Sequence, residues 1–397
     1  MVNNRMGKNN HVGIITFYHE NYNFGGLLQA YALPNVLTNH FGMEAEQIDY
    51  EPIGELEKSN HPTNRSLIYE WVYRLGILFF RRIHKRHLQQ RKHAFDRFMD
   101  EIPHSSITYQ YDSIDQSLEQ YDIFVCGGDQ IWNDCGESRN IRIYTLQFVP
   151  PWVKKIAYAP SMAILDFSPD FETMMRIGMQ QLHAVSVREK RAEALLRHCS
   201  EKPIRIVVDP VLLMTANEWN RVAEEPEKKG KYILCYLLGD STEHRNAAKT
   251  IARTVRLPIL TFPRILGNVV RKCDLFFGDI HDYTSGPREF LGLIQNAEFV
   301  ITDSFHACVF SMIFQTPFAV FERHKADEKG NMNSRIYDFL EEYHLERQLV
   351  TVEALAGMQE IPQVDFSYAH AHWEQRRAES LQYLENALKE NENGAEP

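Results

Sequence analysis

The sequence predicts an α/β fold of two doubly wound, parallel-sheet domains, and three observations carry that prediction. Short β-branched, apolar runs alternate with stretches whose apolar residues recur at helical spacing. The alternation restarts after a charged Pro/Gly stretch, Glu224-Glu225-Pro226-Glu227-Lys228-Lys229-Gly230, which has the composition of an interdomain linker. Finally, 397 residues, 44% hydrophobic and 24% charged, supply apolar material for two cores at roughly 100 to 200 residues per domain.

The elements follow in order. Val12 to Phe17 is a strand, His19 to Gly26 a loop, and Leu27 to Phe41 a helix. Ile123 to Cys126 runs into Gly127-Gly128, and Lys155 to Tyr158 into Ala159-Pro160-Ser161. Ala184 to Val187 runs into Arg188 and a helix through His198, and Ile204 to Val208 into Asp209-Pro210. Such strands form a parallel sheet with ligand loops at their carboxyl ends. Beyond the linker the expected elements are strand Tyr232 to Leu238, helix Glu243 to Val255, strand Ile259 to Phe262, helix Arg288 to Asn296, strand Phe299 to Thr302, helix Phe305 to Phe314 and strand Phe318 to Phe321. The domains are then 1–225 and 226–365, and 366–397 is a tail with a long helix, Ala369 to Leu388, and a frayed end at Glu390 to Pro397.

One insertion, 66–100, reads as helix. Between Trp71 and Phe98 it carries Arg74, Arg81, Arg82, Lys85, Arg86, Arg91, Lys92 and Arg97 against the single acid Asp96, beside Tyr73, Leu75, Ile77, Leu78, Phe79 and Phe80. A basic, aromatic-rich helix suits peripheral contact with an anionic membrane. The plain alternative is a long helix that packs its aromatics on the domain and turns its charge to water.

Composition excludes several classes. Forty-three Lys and Arg against fifty-three Asp and Glu give a net charge of −10, against bulk nucleic-acid binding. The cysteines at 126, 135, 199, 235, 273 and 308 include no C-x-x-C pair, so neither a disulfide framework nor a zinc site is expected. The polar N-terminus carries no secretory signal, and Ile68 to Phe80, broken by Glu70 and Arg74, is too short to span a bilayer. Cytoplasmic residence is expected, with peripheral contact at the inner face of the membrane left open. Dinucleotide, P-loop, zincin and nucleophile-elbow signatures are missing, and no metal site is indicated.

The candidate site residues lie in polar loops after strands. Asn23, Gly25 and Gly26 precede a helix, where glycine lets backbone approach a ligand and amides face an anion. Asp129, Gln130 and Trp132, in Gly127-Gly128-Asp129-Gln130-Ile131-Trp132-Asn133, offer carboxylate and amide groups to sugar hydroxyls and an indole to a ring; the alternative is a structural turn with Trp132 in the core. Arg188 follows a strand at a helix start, suited to phosphate or carboxylate, or to a salt bridge with Glu189 or another acid. In Thr302-Asp303-Ser304-Phe305-His306 a strand ends, Asp303 or Ser304 caps, and His306 enters the first helical turn, where a proton-donating imidazole needs a compensating anion. Arg335 opens the next helix as a second anion clamp; Arg264, Arg288 and Arg323 are less distinctive.

At these residues the chain resembles the polysaccharide pyruvyl transferase family. The segments that carry the resemblance are NYNFGGLLQAYAL from Asn21, CGGDQIWN from Cys126, YAPSMA from Tyr158, VSVREK from Val185, VVDPVLLM from Val207, ITDSFHACVFSMIFQTPF from Ile301 and MNSRI from Met332. Two positions depart from the usual pattern: Gly128 stands where the family commonly has serine, and Ala307 where it has glycine.

The resemblance implies a GT-B-like arrangement, two Rossmann-like domains facing across a cleft. It implies phosphoenolpyruvate as donor substrate with no further cofactor, a sugar acceptor, polymeric or lipid-linked, and a pyruvate ketal as product with release of phosphate. His306 is then the expected acid or base, and Arg188, Arg335, Ser304 and Asp303 the donor side. Asn23, Gly25, Gly26, Asp129, Gln130 and Trp132 form the acceptor side. A nucleotide-sugar glycosyltransferase of the same architecture and a non-catalytic ligand-binding scaffold are the competing readings.

Overall fold

The computed structural model describes residues 10–53, 67–133, 138–162, 164, 166–226, 230–263, 265–266, 269–323 and 333–389, with the backbone alone for 67–83, 138–139, 265–266 and 269–270. The first domain is built on β1 (His11–Ile15), β2 (Glu44–Gln47), β3 (Ile123–Gly127), β4 (Lys154–Tyr158), β5 (Ala184–Val187) and β6 (Ile204–Ile206). All pair in parallel, in the order β2-β1-β3-β4-β5-β6. Helices α1 (Phe24–Phe41), α2 (Leu67–Glu101), α3 (Ser138–Tyr144), α4 (Pro169–Gln181), α5 (Lys190–Leu196) and α6 (Ala216–Val222) belong to this half of the chain.

The second sheet holds β7 (Ile233–Tyr236) and β8 (Ile259–Thr261). A two-stranded antiparallel ribbon, β9 (Ile265–Leu266) and β10 (Val269–Val270), stands apart from it. β11 (Ile280–His281), β12 (Phe299–Thr302) and β13 (Phe318–Val320) complete the sheet, ordered β11-β8-β7-β12-β13 and again parallel. Its helices are α7 (Thr242–Val255), α8 (Pro287–Gln295), α9 (Phe305–Ile313), α10 (Ser334–Glu342) and α11 (Val352–Gly357), and the chain's last described helix is α12 (Ser367–Lys389). In a doubly wound sheet a crevice opens where the strand order reverses. Here that is between β1 and β3 in the first domain and between β7 and β12 in the second.

Local chemistry explains where α1 begins. The sequence places its start at Leu27, whereas the helix opens at Phe24, because the Asn23 side chain caps it by accepting from the Gly26 amide at 3.0 Å. Gly25 and Gly26 are therefore first-turn residues, not loop. The edge strand β2, Glu-Ala-Glu-Gln, and the two-residue β11 were not legible, since neither has the apolar alternation of a strand.

The insertion forms one helix as expected, but its end is not a free basic face. Phe95 and Phe98 are buried in the core. The Arg91 guanidinium lies 5.2 Å from the Phe24 ring centre and donates to the Pro263 carbonyl at 3.3 Å. Lys92 bonds Asp96 at 2.8 Å, and Arg97 reaches Glu289 of the second domain at 3.4 Å. Arg91 and Arg97 thus join α2 to its surroundings, while Lys92 pairs within the helix and lies 5.2 Å from the Tyr22 ring centre. Lys85 and Arg86 are exposed, while the side chains of Arg74, Arg81 and Arg82 lie outside the described residues.

One hydrophobic cluster runs through both domains. Its hinge piece is Phe24 at the head of α1, stacked on Phe290 of the second domain with ring centres 4.5 Å apart and flanked by Tyr236 and Phe262. Helix α12 spans the same boundary. Trp373 donates to the Leu212 carbonyl at 2.8 Å, Ser380 accepts from the Val208 amide at 3.0 Å, and His370 bonds the Met312 carbonyl at 2.8 Å. The expected frayed end, 390–397, and linker residues 227–229 lie outside the described residues. Among the described residues no helix is long and apolar enough to cross a membrane.

Candidate active site

Both reversal points point into one place. From the first domain come the N-terminus of α1 and the loop after β3; from the second, the turn after β12 that leads into α9. His306, in the first turn of α9, is 5% exposed and packs against Gly25 so closely that a Cβ there would lie 2.2 Å from Nδ1 and 2.4 Å from Cγ. Gly25 is glycine because the imidazole of the opposite domain occupies the space a side chain would need.

Four loops of the first domain converge on Arg188. Its Nε donates to Glu189 at 2.8 Å, Nη1 to Asp209, and Nη2 to Asp129 at 2.7 Å and to the Ser161 hydroxyl at 2.9 Å. The guanidinium also sits 4.8 Å from the Phe305 ring centre. From the second domain, Arg335 Nη1 donates to the same Asp129 oxygen at 2.6 Å, and its guanidinium lies 5.9 Å from that ring. Two buried guanidiniums therefore meet three carboxylates, with Phe305 between them.

This packing fixes the charge states. Burial alone would raise the Asp129 carboxyl, but Arg335 and Arg188, joined by His306 once it is protonated in acid, outweigh it and hold the group well below the usual carboxylate range. The Arg188 guanidinium is pushed upward, since Asp209, Glu189 and Asp129 together overcome its desolvation. His306 is pushed below the ordinary histidine value, first by burial and then by Arg188 and Arg335, while Asp209 and Asp129 pull the other way. The resting imidazole is neutral at neutral pH. Its Nε2 is buried with no hydrogen-bond partner among the described residues, and the nearest anion, Asp209 Oδ2, stands 3.8 Å away.

The structure brings His306, Arg188, Arg335, Asp129, Gly25 and Phe305 together. Asn23 is the α1 cap, and Gly26 gives it the amide to bind; a Cβ on Gly26 would meet Asn21 Nδ2 at 2.6 Å. Gln130, with φ of 58°, accepts from the Asn133 amide at 2.9 Å at the rim of the same loop. Gly128 has φ of 100°, and a Cβ there would strike Gln29 Oε1 at 2.1 Å, so this loop needs glycine where the family commonly has serine.

Three expectations change. Trp132 is fully buried and donates its indole N–H to the Tyr144 carbonyl at 2.8 Å, so no ring face is left for a sugar. Asp303 is already engaged by the backbone: its two oxygens accept from the Leu238 and Gly239 amides at 2.7 Å each, tying β7 to β12 across the reversal point. Arg188 is not a free clamp, because each of its nitrogens already has a protein partner. Ser304 is the buried N-cap residue of α9; its amide donates to Thr302 Oγ1 at 3.0 Å and its side chain makes no cap bond.

Sequence reasoning missed Asp209, Glu189 and Ser161 as site residues. A signal existed for each. Asp209 ends the β6 run ahead of Pro210 and caps the turn through Val211, Glu189 adjoins Arg188, and Ser161 follows β4. What the sequence lacks is the fact that these strand ends share one arginine.

A family model for polysaccharide pyruvyl transferase matches residues 23–325. No curated protein matches the chain. Among solved structures, a proposed UDP-N-acetylglucosamine 2-epimerase from Listeria monocytogenes aligns over 99% of this chain and 100% of its own, at 11% identity and a TM-score of 0.50. A UDP-GlcNAc 2-epimerase from Methanocaldococcus jannaschii covers 94% and 99% at 14% identity, with a TM-score of 0.46. Arabidopsis thaliana UGT89C1 complexed with UDP-L-rhamnose covers 96% and 98% at 10% identity, with a TM-score of 0.48. At 11% identity the first of these speaks for the fold alone, two parallel-sheet domains in the GT-B arrangement. The matched segment runs from the cap of α1 through His306 and past the end of β13, so the chain belongs to the polysaccharide pyruvyl transferase family.

Proposed function

We propose that the protein transfers pyruvate from phosphoenolpyruvate to a sugar of a surface or capsular polysaccharide, or of its lipid-linked precursor, forming a pyruvate ketal and releasing phosphate. The observation that carries this reading is a neutral, buried histidine from one domain set against two arginines at the junction of both, in a chain of this family. A donor with a carboxylate and a phosphate suits guanidinium groups. It takes over the place of the Asp129 carboxylate on Arg335 and on Arg188 Nη2, because those donors are occupied in the free protein.

The chemistry balances without a redox partner. One sugar hydroxyl adds to the enol carbon while its methylene gains a proton, and the second hydroxyl displaces phosphate to close the ring. His306 moves the proton, and the donor's negative charge draws its depressed pKa back toward the useful range. The acceptor lies on the side of Asn23, Gly25, Gly26, Asp129 and Gln130. A lipid-linked acceptor would give the exposed Lys85 and Arg86 of α2, with the cations before them, an anionic bilayer to meet.

The test is phosphate release from phosphoenolpyruvate with galactose-, mannose- and glucuronate-type acceptors, with products weighed and each reaction repeated with His306→Ala. Acceptor heavier by one pyruvate less one water, absent in the variant, supports the proposal. Binding of a nucleotide-sugar with no response to phosphoenolpyruvate would replace it with the glycosyltransferase reading.

A further inference from the structure

The proton chemistry assigned to His306 requires that one ring nitrogen be fixed and the other left to react. Three features of the cleft bear on which is which. Nε2 is the buried edge with no hydrogen-bond partner among the described residues, and Asp209 Oδ2 stands 3.8 Å from it. The Nδ1 edge lies against the head of α1 at Gly25, in the space a side chain there would fill. Asp209 itself is 2% exposed and cannot wander: Oδ1 accepts from the Val211 amide at 3.0 Å, and Oδ2 is held by Arg188.

We infer that Asp209 is the positioning residue for His306, supplied across the cleft by the opposite domain, keeping the proton of the neutral imidazole on Nε2 and leaving Nδ1 as the nitrogen that exchanges protons with the substrate. The inference rests on the proposed transferase reading for what the histidine does, though not for how it is held. Closing the gap from 3.8 Å to about 3.0 Å makes the Nε2–H to Asp209 hydrogen bond. The lone pair of Nδ1 then takes the proton that leaves the adding sugar hydroxyl, and the imidazolium so formed is stabilised by the Asp209 carboxylate, as in hydrolase triads. The same proton passes on to the methylene carbon, which carries the electron pair of the broken double bond.

An aspartate and a histidine from different domains have a consequence that a dyad within one domain lacks. The histidine is competent only while the domains are apposed, so proton transfer is tied to a closed cleft. The groups facing the ring are the anions Asp209 and Asp129, which favour its protonated form, and the cations Arg188 and Arg335, which oppose it. Removing Asp209 must therefore move the His306 titration to lower pH.

Imidazole ¹⁵N NMR on the full chain reads this directly, with His306→Gln used to assign the resonance. The expected result is the Nε2–H tautomer in the parent protein and a titration moved to lower pH in Asp209→Asn. Glu189→Gln, which takes another carboxylate from the same arginine, should leave the His306 titration in place. An Nδ1–H tautomer, or an equal displacement in both variants, would overturn the inference. If Asp209→Asn does not fold, shown by loss of cooperative thermal unfolding, the parent tautomer alone decides. No substrate enters these measurements, so a protein inactive on phosphoenolpyruvate would refute the transferase reading and leave the dyad standing.

Discussion

Gly25→Ala tests the apposition of the two domains with one methyl group. The backbone at Gly25 is the first turn of α1, not a left-handed position, so alanine fits locally and removes an entropy cost of about 0.5–1 kcal/mol. The obstacle is across the cleft. The new Cβ would stand 2.2 Å from His306 Nδ1, and reaching ordinary contact at about 3.4 Å requires roughly 1.2 Å of movement by the ring or by the domain that carries it. A misplacement of about 1 Å at reacting groups costs on the order of 100-fold in rate, or about 2.7 kcal/mol of barrier. The variant should therefore unfold at or near the parent temperature while kcat for phosphate release falls about 100-fold. Gly26→Ala is the comparison: its Cβ meets the Asn21 side-chain amide at 2.6 Å and not His306, so it costs Asn21 its bond to the Phe17 carbonyl and lowers stability, while turnover falls much less. Parental turnover in Gly25→Ala would refute the claim that His306 works against the head of α1.

Two further outcomes are expected. The Asp129 carboxyl is depressed in the folded protein, so its contribution is complete above the unfolded value of about 3.9 and is lost as pH falls from there through the folded value. Asp129→Asn should therefore lose less stability than the parent between about pH 5 and pH 3 in urea titrations; parallel curves would refute the assignment. Replacing Arg81, Arg82, Lys85 and Arg86 together should abolish sedimentation with anionic vesicles and leave turnover of a soluble acceptor unchanged, and undiminished sedimentation would remove the membrane reading of α2.

Much of the architecture is local and was readable. Strands such as Ile123 to Cys126 and Phe299 to Thr302 are buried on both faces of parallel sheets, so they stand out as apolar runs. The loops that meet at the junction were readable too, because polar segments carrying Asp129, Arg188 and His306 stand directly after apolar strands. The partners of these residues were not. Trp132 has the composition of a sugar platform and proves to be core, because the Tyr144 carbonyl twelve residues on supplies its hydrogen bond.

By itself, then, the sequence determined the two α/β domains, the family, and the short set of polar loops that the fold brings together. These depend on periodicity and on residues near one another along the chain. Only the tertiary structure decided that Arg188 is held by Asp129, Glu189 and Asp209, that Asp303 braces a strand pair, and that His306 looks across the cleft at Asp209 and Gly25. The physical reason is that the role of a charged side chain depends on which charges reach it in the low-dielectric interior. Those neighbours come from strand ends tens to hundreds of residues apart, whose meeting is fixed by sheet order and domain apposition.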